Sequence, residues 1–395
     1  MDRWQKISIV ALSALVAALG VFALGFSMGD RRSETSAAGA GGEQTDGFSV
    51  VRDAFGLIRT SAVDPPGDDE LARGAVKGMI RVVNRSGDPY AFFYTPSGYE
   101  SFQELTTGRF SGIGVWLKEK AEDLEIVSVL PSTPALEAGL KRGDIVEAID
   151  GRAVADMSVD EAVARIKGKP GTDVAVDVSR DGAPLDFTIT RRSIEFPNLV
   201  SRVTDEDIGY IRLLGFARGA GQQLRREVSE LSRDGAEGIV LDLRDNGGGL
   251  FSEGIDVASV FLDDGKIVSY KARSEPERVY EAEGAAFEEI PLVVLVNEGT
   301  ASASEIVAGA LQDRDRAILV GEETYGKGSV QDVFPLPDAS ALKLTTGAYF
   351  TPDGRNITGD GIEPDVEVAA SRTAQRDRAV EILRGIVIST TGAQG

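Results

Sequence analysis

The segment "GTASASEIVAGAL", Gly299 to Leu311, follows the apolar run "PLVVLV" and carries two serines where a strand hands over to a helix. A serine displayed at such a turn can act as a nucleophile, with the next backbone N–H aimed at a developing oxyanion. Ser302-Ala303-Ser304-Glu305 also fits the Ser-x-x-Glu capping box that opens a helix. Both readings use one geometry, so the segment alone leaves nucleophile and cap open. A nucleophilic hydroxyl needs a base. The chain has no histidine and no cysteine. That excludes Ser-His-Asp and Cys-His catalysis, histidine-ligated zinc and disulfides.

Lys327 answers that need. It stands between Gly326 and Gly328 in "GEETYGKGSVQ", Gly321 to Gln331, an odd place for a solvated surface charge. Lysine is a general base only when neutral, and desolvation penalises its charged form. Moving it from ~10.4 to pH 7–8 takes about 3 units, or roughly 4 kcal/mol of environmental bias. Gln331 lies four residues on, a spacing that shares a face on a helix and on a strand alike. Its uncharged amide can orient the lysine without favouring the ammonium. The same loop spells the Gly-x-x-x-x-Gly-Lys of a phosphate-binding loop. Gly328 stands where that motif needs Ser or Thr, and the β-like "SVQDVFPLPD" stands where it needs a helix. Nucleotide binding is therefore disfavoured.

These residues must be positioned by an α/β layer. From Ile208 onward the strands "IGYIRLL", "GIVLDLR", "PLVVLVN" and "RAILVGE" alternate with helical segments such as "GAGQQLRREVSELSRDG" and "EGIDVASVFLDD". Ligands bind at the carboxyl ends of such strands. Three small-residue loops fall there: "DLRDNGGGL" (Asp242 to Leu250), "NEGTASASE" and "GEETYGKGSVQ". If their strands are neighbours, the loops converge.

From Phe110 the pattern is mostly β, with short helices at "TPALEAGL" and "SVDEAVARIKG". A strand entered through a Gly-x-Gly turn and an amphipathic helix near the module's end resemble a PDZ domain. "GIGV", Gly112 to Val115, stands where that family binds a carboxylate. Glycines let successive N–H groups of Ile113, Gly114 and Val115 converge on one anion. Val115, Val163 and Ile166 are expected to line a pocket for the last side chain of a peptide added at the strand edge.

Before the module, "FSVVRDAFGLIRTSAV" and "DELARGAVKGMIRVVN" carry helical spacing, separated by the breakers of "DPPGDD". Gly29 to Gly47 reads as a flexible Gly/Ala/Ser-rich linker. Ile7 to Phe26 is an unbroken apolar stretch of ~20 residues, long enough to span a bilayer. It reads as an uncleaved anchor, with a cleaved signal peptide as the alternative. The net charge of −21 argues against a nucleic-acid partner.

Together "GTASASEIVAGAL", "YGKGSVQ", "DLRDNGGG" and "TPDGRNITGDGIEPDV" resemble, in this order, the carboxyl-terminal processing peptidases, or tail-specific proteases. The resemblance covers nearly everything after the linker. It departs only mildly, as at Thr300 and Tyr325, where the family has serine and phenylalanine. It implies Ser302 as nucleophile, with Ser304 as runner-up, Lys327 as base and Gln331 as its support. It also implies oxyanion donors at Gly248 and Ala303, with Gly247 as the alternative to Gly248. The expected protein is a serine endopeptidase that cleaves near the C-terminus of protein substrates, without metal or organic cofactor. Its PDZ domain would bind free apolar C-termini and gate activity; the rival is an inactive PDZ scaffold. The catalytic part would lie outside the cytoplasm on a membrane anchor, or be secreted after signal cleavage. The family often dimerises through terminal segments, and "RTAQRDRAVEILRGIVI" offers a helix for a homodimer. The expected fold is α/β multidomain. It runs from a membrane anchor or signal (1–28) and linker (29–47) to an N-terminal helical segment (48–106) and PDZ domain (107–194). A peptidase core of the carboxyl-terminal processing type (195–370) and a C-terminal helical tail (371–395) complete it.

Overall fold

The computed structural model describes residues 47–392 apart from 121–122, 158, 205, 274, 285–286 and 370. The expected anchor at Ile7 to Phe26 and the linker up to residue 46 lie outside the described residues. Among the described residues no helix is long and apolar enough to cross a membrane.

The chain opens with α1 (Gly47–Ser61), α2 (Asp68–Arg85), β1 (Phe92–Tyr94) and α3 (Pro96–Thr107). The β-rich module follows: β2 (Arg109–Gly112), β3 (Val115–Lys120), β4 (Asp123–Val129), α4 (Pro134–Ala138), β5 (Ile145–Ile149), β6 (Arg152–Ala153), α5 (Val159–Ile166), β7 (Asp173–Arg180), β8 (Ala183–Thr190) and β9 (Arg192–Glu195). Then come β10 (Leu199–Val203), β11 (Ile208–Leu213), α6 (Ala220–Arg233), β12 (Gly238–Asp242), α7 (Phe251–Ala258), β13 (Lys266–Ala272) and β14 (Arg278–Glu281). The last stretch holds β15 (Leu292–Val296), α8 (Ala303–Asp313), β16 (Ile318–Gly321), β17 (Ser329–Pro335), β18 (Ala341–Phe350), β19 (Val366–Glu367) and α9 (Arg372–Gly392).

These elements fall into two compact units, one formed by the described residues up to Pro96 with Gln331–Thr345, the other by Ser97–Val330 and Thr346 onward. In the smaller unit α2 buries Ile80 against Ala91 and Phe93, with Leu336, Leu342 and Leu344 packed around them. There β1 pairs antiparallel with the start of β18, Phe93 opposite Leu342. α1 buries none of its residues.

The larger unit is built on a sheet of order β10-β11-β12-β15-β16-β19, parallel except for β10. Strand alternation sends its apolar side chains to two faces, and helices cover both. Ile239, Leu241, Leu292 and Val294 pack with Leu224 and Val228 of α6, Val257 of α7 and Ile306 and Val307 of α8. Val240, Val293 and Leu295 point the other way, against Ala379 and Leu383 of α9. The C-terminal segment expected to offer a dimer helix is thus helical, but its buried positions are used within its own chain.

The β module, in the same unit, is an antiparallel sheet of order β3-β4-β5-β7-β8 with β6 on β5. Ile113, Ile126, Ile149, Ala162, Ile166 and Val176 form its core. β2 and β9, at the module's two ends, pair antiparallel, Phe110 opposite Ile194.

Candidate active site

β12, β15 and β16 are successive neighbours in the sheet, so the three loops at their carboxyl ends do converge. The backbone stitches them together. Ala301 N–H donates to Asn246 O (3.0 Å) and Tyr325 N–H to Thr300 O (3.0 Å). Asn297 Oδ1 accepts the Asp245 N–H (2.8 Å).

Ser302 is the N-cap residue of α8 and is half-buried. Its backbone, φ 58° and ψ −117°, is far from the extended conformation of an ordinary N-cap. A non-glycine residue in this region stores strain and persists only where its surroundings over-determine it. Nucleophiles on sharp strand-to-helix turns are held this way. Ser304 is fully buried, and its hydroxyl donates to Asn246 O at 2.8 Å. It ties the helix to the first loop and has no access to a substrate. Of the two serines, Ser302 is the more exposed.

Lys327 lies on the third loop, half-buried, two residues before β17 begins at Ser329. Its backbone N–H donates to Glu305 Oε2 at 3.0 Å, and the Ser302 N–H donates to the same oxygen at 2.8 Å. Ser302 and Lys327 therefore converge on one carboxylate. The sequence marked Glu305 as half of a capping box; it gave no sign that the carboxylate also holds the lysine loop. Tyr349 on β18 was missed altogether. Its hydroxyl lies 2.6 Å from Lys327 O and 3.1 Å from Ser302 O. Burial, reinforced by the nearby Glu305 charge, pushes its ionisation well above the ordinary phenol value. It remains a proton donor.

Ala303 N–H, the first of α8, has no hydrogen-bond partner among the described residues. Gly248 packs over it. A Cβ at Gly248 would come 2.8 Å from Ala303 N and 2.9 Å from Ser302 Cβ, and φ there is +90°. Only glycine leaves the Ala303 amide open. The Gly248 N–H, however, donates to Asn246 Oδ1 at 3.0 Å, so of the two expected oxyanion donors one is engaged in this conformation. Gly247 is exposed on the same loop.

Gln331 sits on β17 and belongs to the smaller unit. Its amide lies 3.4 Å from Thr345 Oγ1, and that hydroxyl donates to Asp88 Oδ1 at 2.8 Å. Burial would raise the Asp88 carboxyl; the Thr345 N–H and hydroxyl, with neighbouring backbone N–H groups, hold it below the usual carboxylate range. Asp88 and Thr345 were not legible as partners from sequence, since they lie far apart along the chain.

In the β module, Gly112 ends β2 and leads into Ile113 and Gly114. The Ile113 and Gly114 N–H groups have no partner among the described residues. β3, which follows, is the terminal strand of its sheet. Ile166 is buried in the module's own core with Ile113 and Ala162, because its side chain is what fastens α5 to the sheet. Val115 and Val163 are half-buried.

The chain is 38% identical over 324 residues to the carboxy-terminal-processing protease of Bartonella bacilliformis, covering 80% of this chain and 74% of that one. It is 39% identical over 348 residues to the carboxyl-terminal-processing protease of Synechocystis, covering 83% and 81%. The chain belongs to the carboxyl-terminal processing proteases. Within it, residues 207–368 match peptidase family S41 and residues 111–190 match the PDZ domain. A solved photosystem II D1 C-terminal processing protease is 29% identical, with a TM-score of 0.47, covering 81% of this chain and 92% of that one. As a carboxyl-terminal processing protease the chain is a serine peptidase with an α/β fold, and the inactive-scaffold alternative falls away.

Proposed function

We propose that this protease uses Ser302 as nucleophile and Lys327 as its general base. The observation that carries the reading is the strained Ser302 backbone, held with Lys327 on one buried carboxylate. Ser302 Oγ attacks a substrate carbonyl carbon while neutral Lys327 Nζ takes its proton. The Ala303 N–H receives the oxyanion of the tetrahedral intermediate. Collapse breaks the C–N bond, and Lys327 returns the proton to the leaving amine. Water then attacks the acyl-enzyme, giving its proton to Lys327, which returns it to Ser302 Oγ as the ester C–O bond breaks and the new carboxyl end leaves. Gly248 serves as second donor when its N–H is shared with, or released from, Asn246. Gln331, four residues along the chain, is the amide expected to orient the base.

The substrate class follows from the relatives and the β module: proteins cut near a free apolar C-terminus. The carboxylate is taken by the open Ile113 and Gly114 N–H groups with Val115, the chain end adds to the β3 edge, and occupancy gates turnover. The catalytic part is held outside the cytoplasm by Ile7 to Phe26, and terminal segments bring two copies together. Fractionating cells and sequencing the N-terminus of the full chain tests the anchor; a soluble, shortened chain rejects it. The deciding experiment is incubation with an unfolded protein. Ser302→Ala should abolish cleavage while folding normally. Wild-type proteolysis by that variant would remove the assignment.

A further inference from the structure

We infer that Glu305 and Tyr349 form a clamp that fixes the Lys327 backbone against the Ser302 backbone, which makes both of them positioning residues of the reaction. The inference rests on the Ser302–Lys327 reading and extends it to what aims the base.

Glu305 is fully buried. Its Oε2 accepts the Ser302 N–H (2.8 Å) and the Lys327 N–H (3.0 Å). Its Oε1 accepts the Thr324 hydroxyl (2.6 Å) and the Gly326 N–H (2.8 Å). A helix cap requires only the first of these bonds. The other three all go to residues 324–327, the loop that carries the lysine. Every one of these four partners donates, so a carboxylate suits the site, and an amide would turn an N–H group toward two donors. These charge-assisted bonds offset the cost of burying the ion.

Tyr349 closes the other side. It is 1% exposed. Its single phenolic proton goes to Lys327 O, at 2.6 Å, with Ser302 O at 3.1 Å as the second acceptor. Its own N–H donates to Gly328 O at 2.9 Å, and Gly359 N–H donates to Gly326 O at 2.9 Å. The lysine is thus held at its N–H and its carbonyl, and both flanking glycines are held as well. This explains what the segment "TPDGRNITGDGI" contributes: it supplies Gly359 behind the loop. Lysine carries its amine on a flexible four-carbon stem. Fixing the backbone at its root is how such a side chain can be aimed, and a misplacement of about 1 Å can cost on the order of 100-fold in rate.

The test uses the full chain and a fluorogenic peptide with a free apolar carboxyl end. Tyr349→Phe keeps the ring in the core and deletes only the hydroxyl; Glu305→Gln keeps the side-chain shape. Tyr349→Phe should lower kcat about 10- to 100-fold with KM unchanged, and should displace the rising limb of the pH–rate profile. Glu305→Gln should do the same or worse; if it does not fold, Tyr349→Phe decides alone. A Tyr349→Phe enzyme with wild-type kcat and pH profile overturns the clamp, even if its melting temperature falls, because that is what a purely structural contact predicts. Lys327→Ala, measured beside it, separates the two readings. An active Lys327→Ala removes the base and with it the clamp, whereas an inactive Lys327→Ala beside a wild-type Tyr349→Phe removes the clamp alone.

Discussion

At the scale of single residues, the proposed chemistry turns on what the backbone does at Ser302. A non-glycine residue at φ 58° and ψ −117° carries strain of order 1–3 kcal/mol. Ser302→Ala keeps that strain, whereas glycine adopts the same dihedrals freely. Glycine also costs about 0.5–1 kcal/mol through the greater freedom of the unfolded chain. The balance predicts that Ser302→Gly is more stable than Ser302→Ala by about 1 kcal/mol, although both are inactive. Paired thermal or urea melts check this. An alanine variant as stable as the glycine variant would mean that the serine is not strained, and the turn would be an ordinary cap. Ser302 and Lys327 stood out in the sequence as candidates because so few groups could serve a hydrolase without histidine or cysteine. Tyr349 was not, because a tyrosine in a β-strand pattern reads as core until its hydroxyl is seen against Lys327 O. Asn246 was hidden too: besides its side-chain bond with Gly248, its backbone carbonyl takes the Ala301 N–H and the Ser304 hydroxyl, and backbone carbonyls leave no trace in sequence.

At the scale of elements, apolar runs bounded by breakers placed the strands and helices well. The buried runs Gly238–Asp242 and Leu292–Val296 could only be sheet interior, and they are. What periodicity could not supply was the direction of individual side chains in short helices. α5 shows this: its turn geometry puts Ile166 into the module core and leaves Val163 half-buried. The same limit touches the obvious way to probe chain-end reading. Gly114 has φ +90°, and a Cβ there would meet Thr133 Cβ at 2.4 Å, a residue itself 1% exposed. A bulky residue at Gly114 would therefore disturb the module before any ligand arrived. The cleaner probe leaves the protein alone and changes the ligand. One apolar-ended peptide, offered as free acid and as amide, should be cleaved at least several-fold faster as the acid, since the amide removes the anion that the open N–H groups would receive. Equal kcat/KM for the two forms would sink the proposal that "GIGV" reads the chain end.

At the scale of the whole larger unit, a buried ion pair adds to the apolar packing that fastens the C-terminal helix to the catalytic sheet. Arg244 and Asp242 are both almost fully buried, and the guanidinium meets the carboxylate through Nε (2.8 Å) and Nη2 (2.6 Å). Arg244 Nη1 then donates to Arg372 O (2.8 Å) and Gln375 Oε1 (2.9 Å), at the start of α9. Tyr210 donates its hydroxyl to the same carboxylate, and burial together with the Asp242 charge pushes that phenol up to about 12. Burial alone would raise the Asp242 carboxyl; Arg244, Tyr210 and a backbone N–H outweigh it and hold the group below the usual range. A carboxyl lowered on folding stabilises the native state above its unfolded value of ~3.9, and that contribution is lost as pH falls from there through the folded value. Acidification below about pH 4 should therefore loosen α9 from the sheet. Asp242→Ala leaves a buried guanidinium without its counter-charge and should cost about 3–5 kcal/mol at neutral pH. It should also flatten the acid limb of the stability curve and speed amide hydrogen exchange in α9. A variant with wild-type melting at pH 7 and an unchanged fall between pH 4 and 2 would show that the helix is held by Ala379 and Leu383 packing alone.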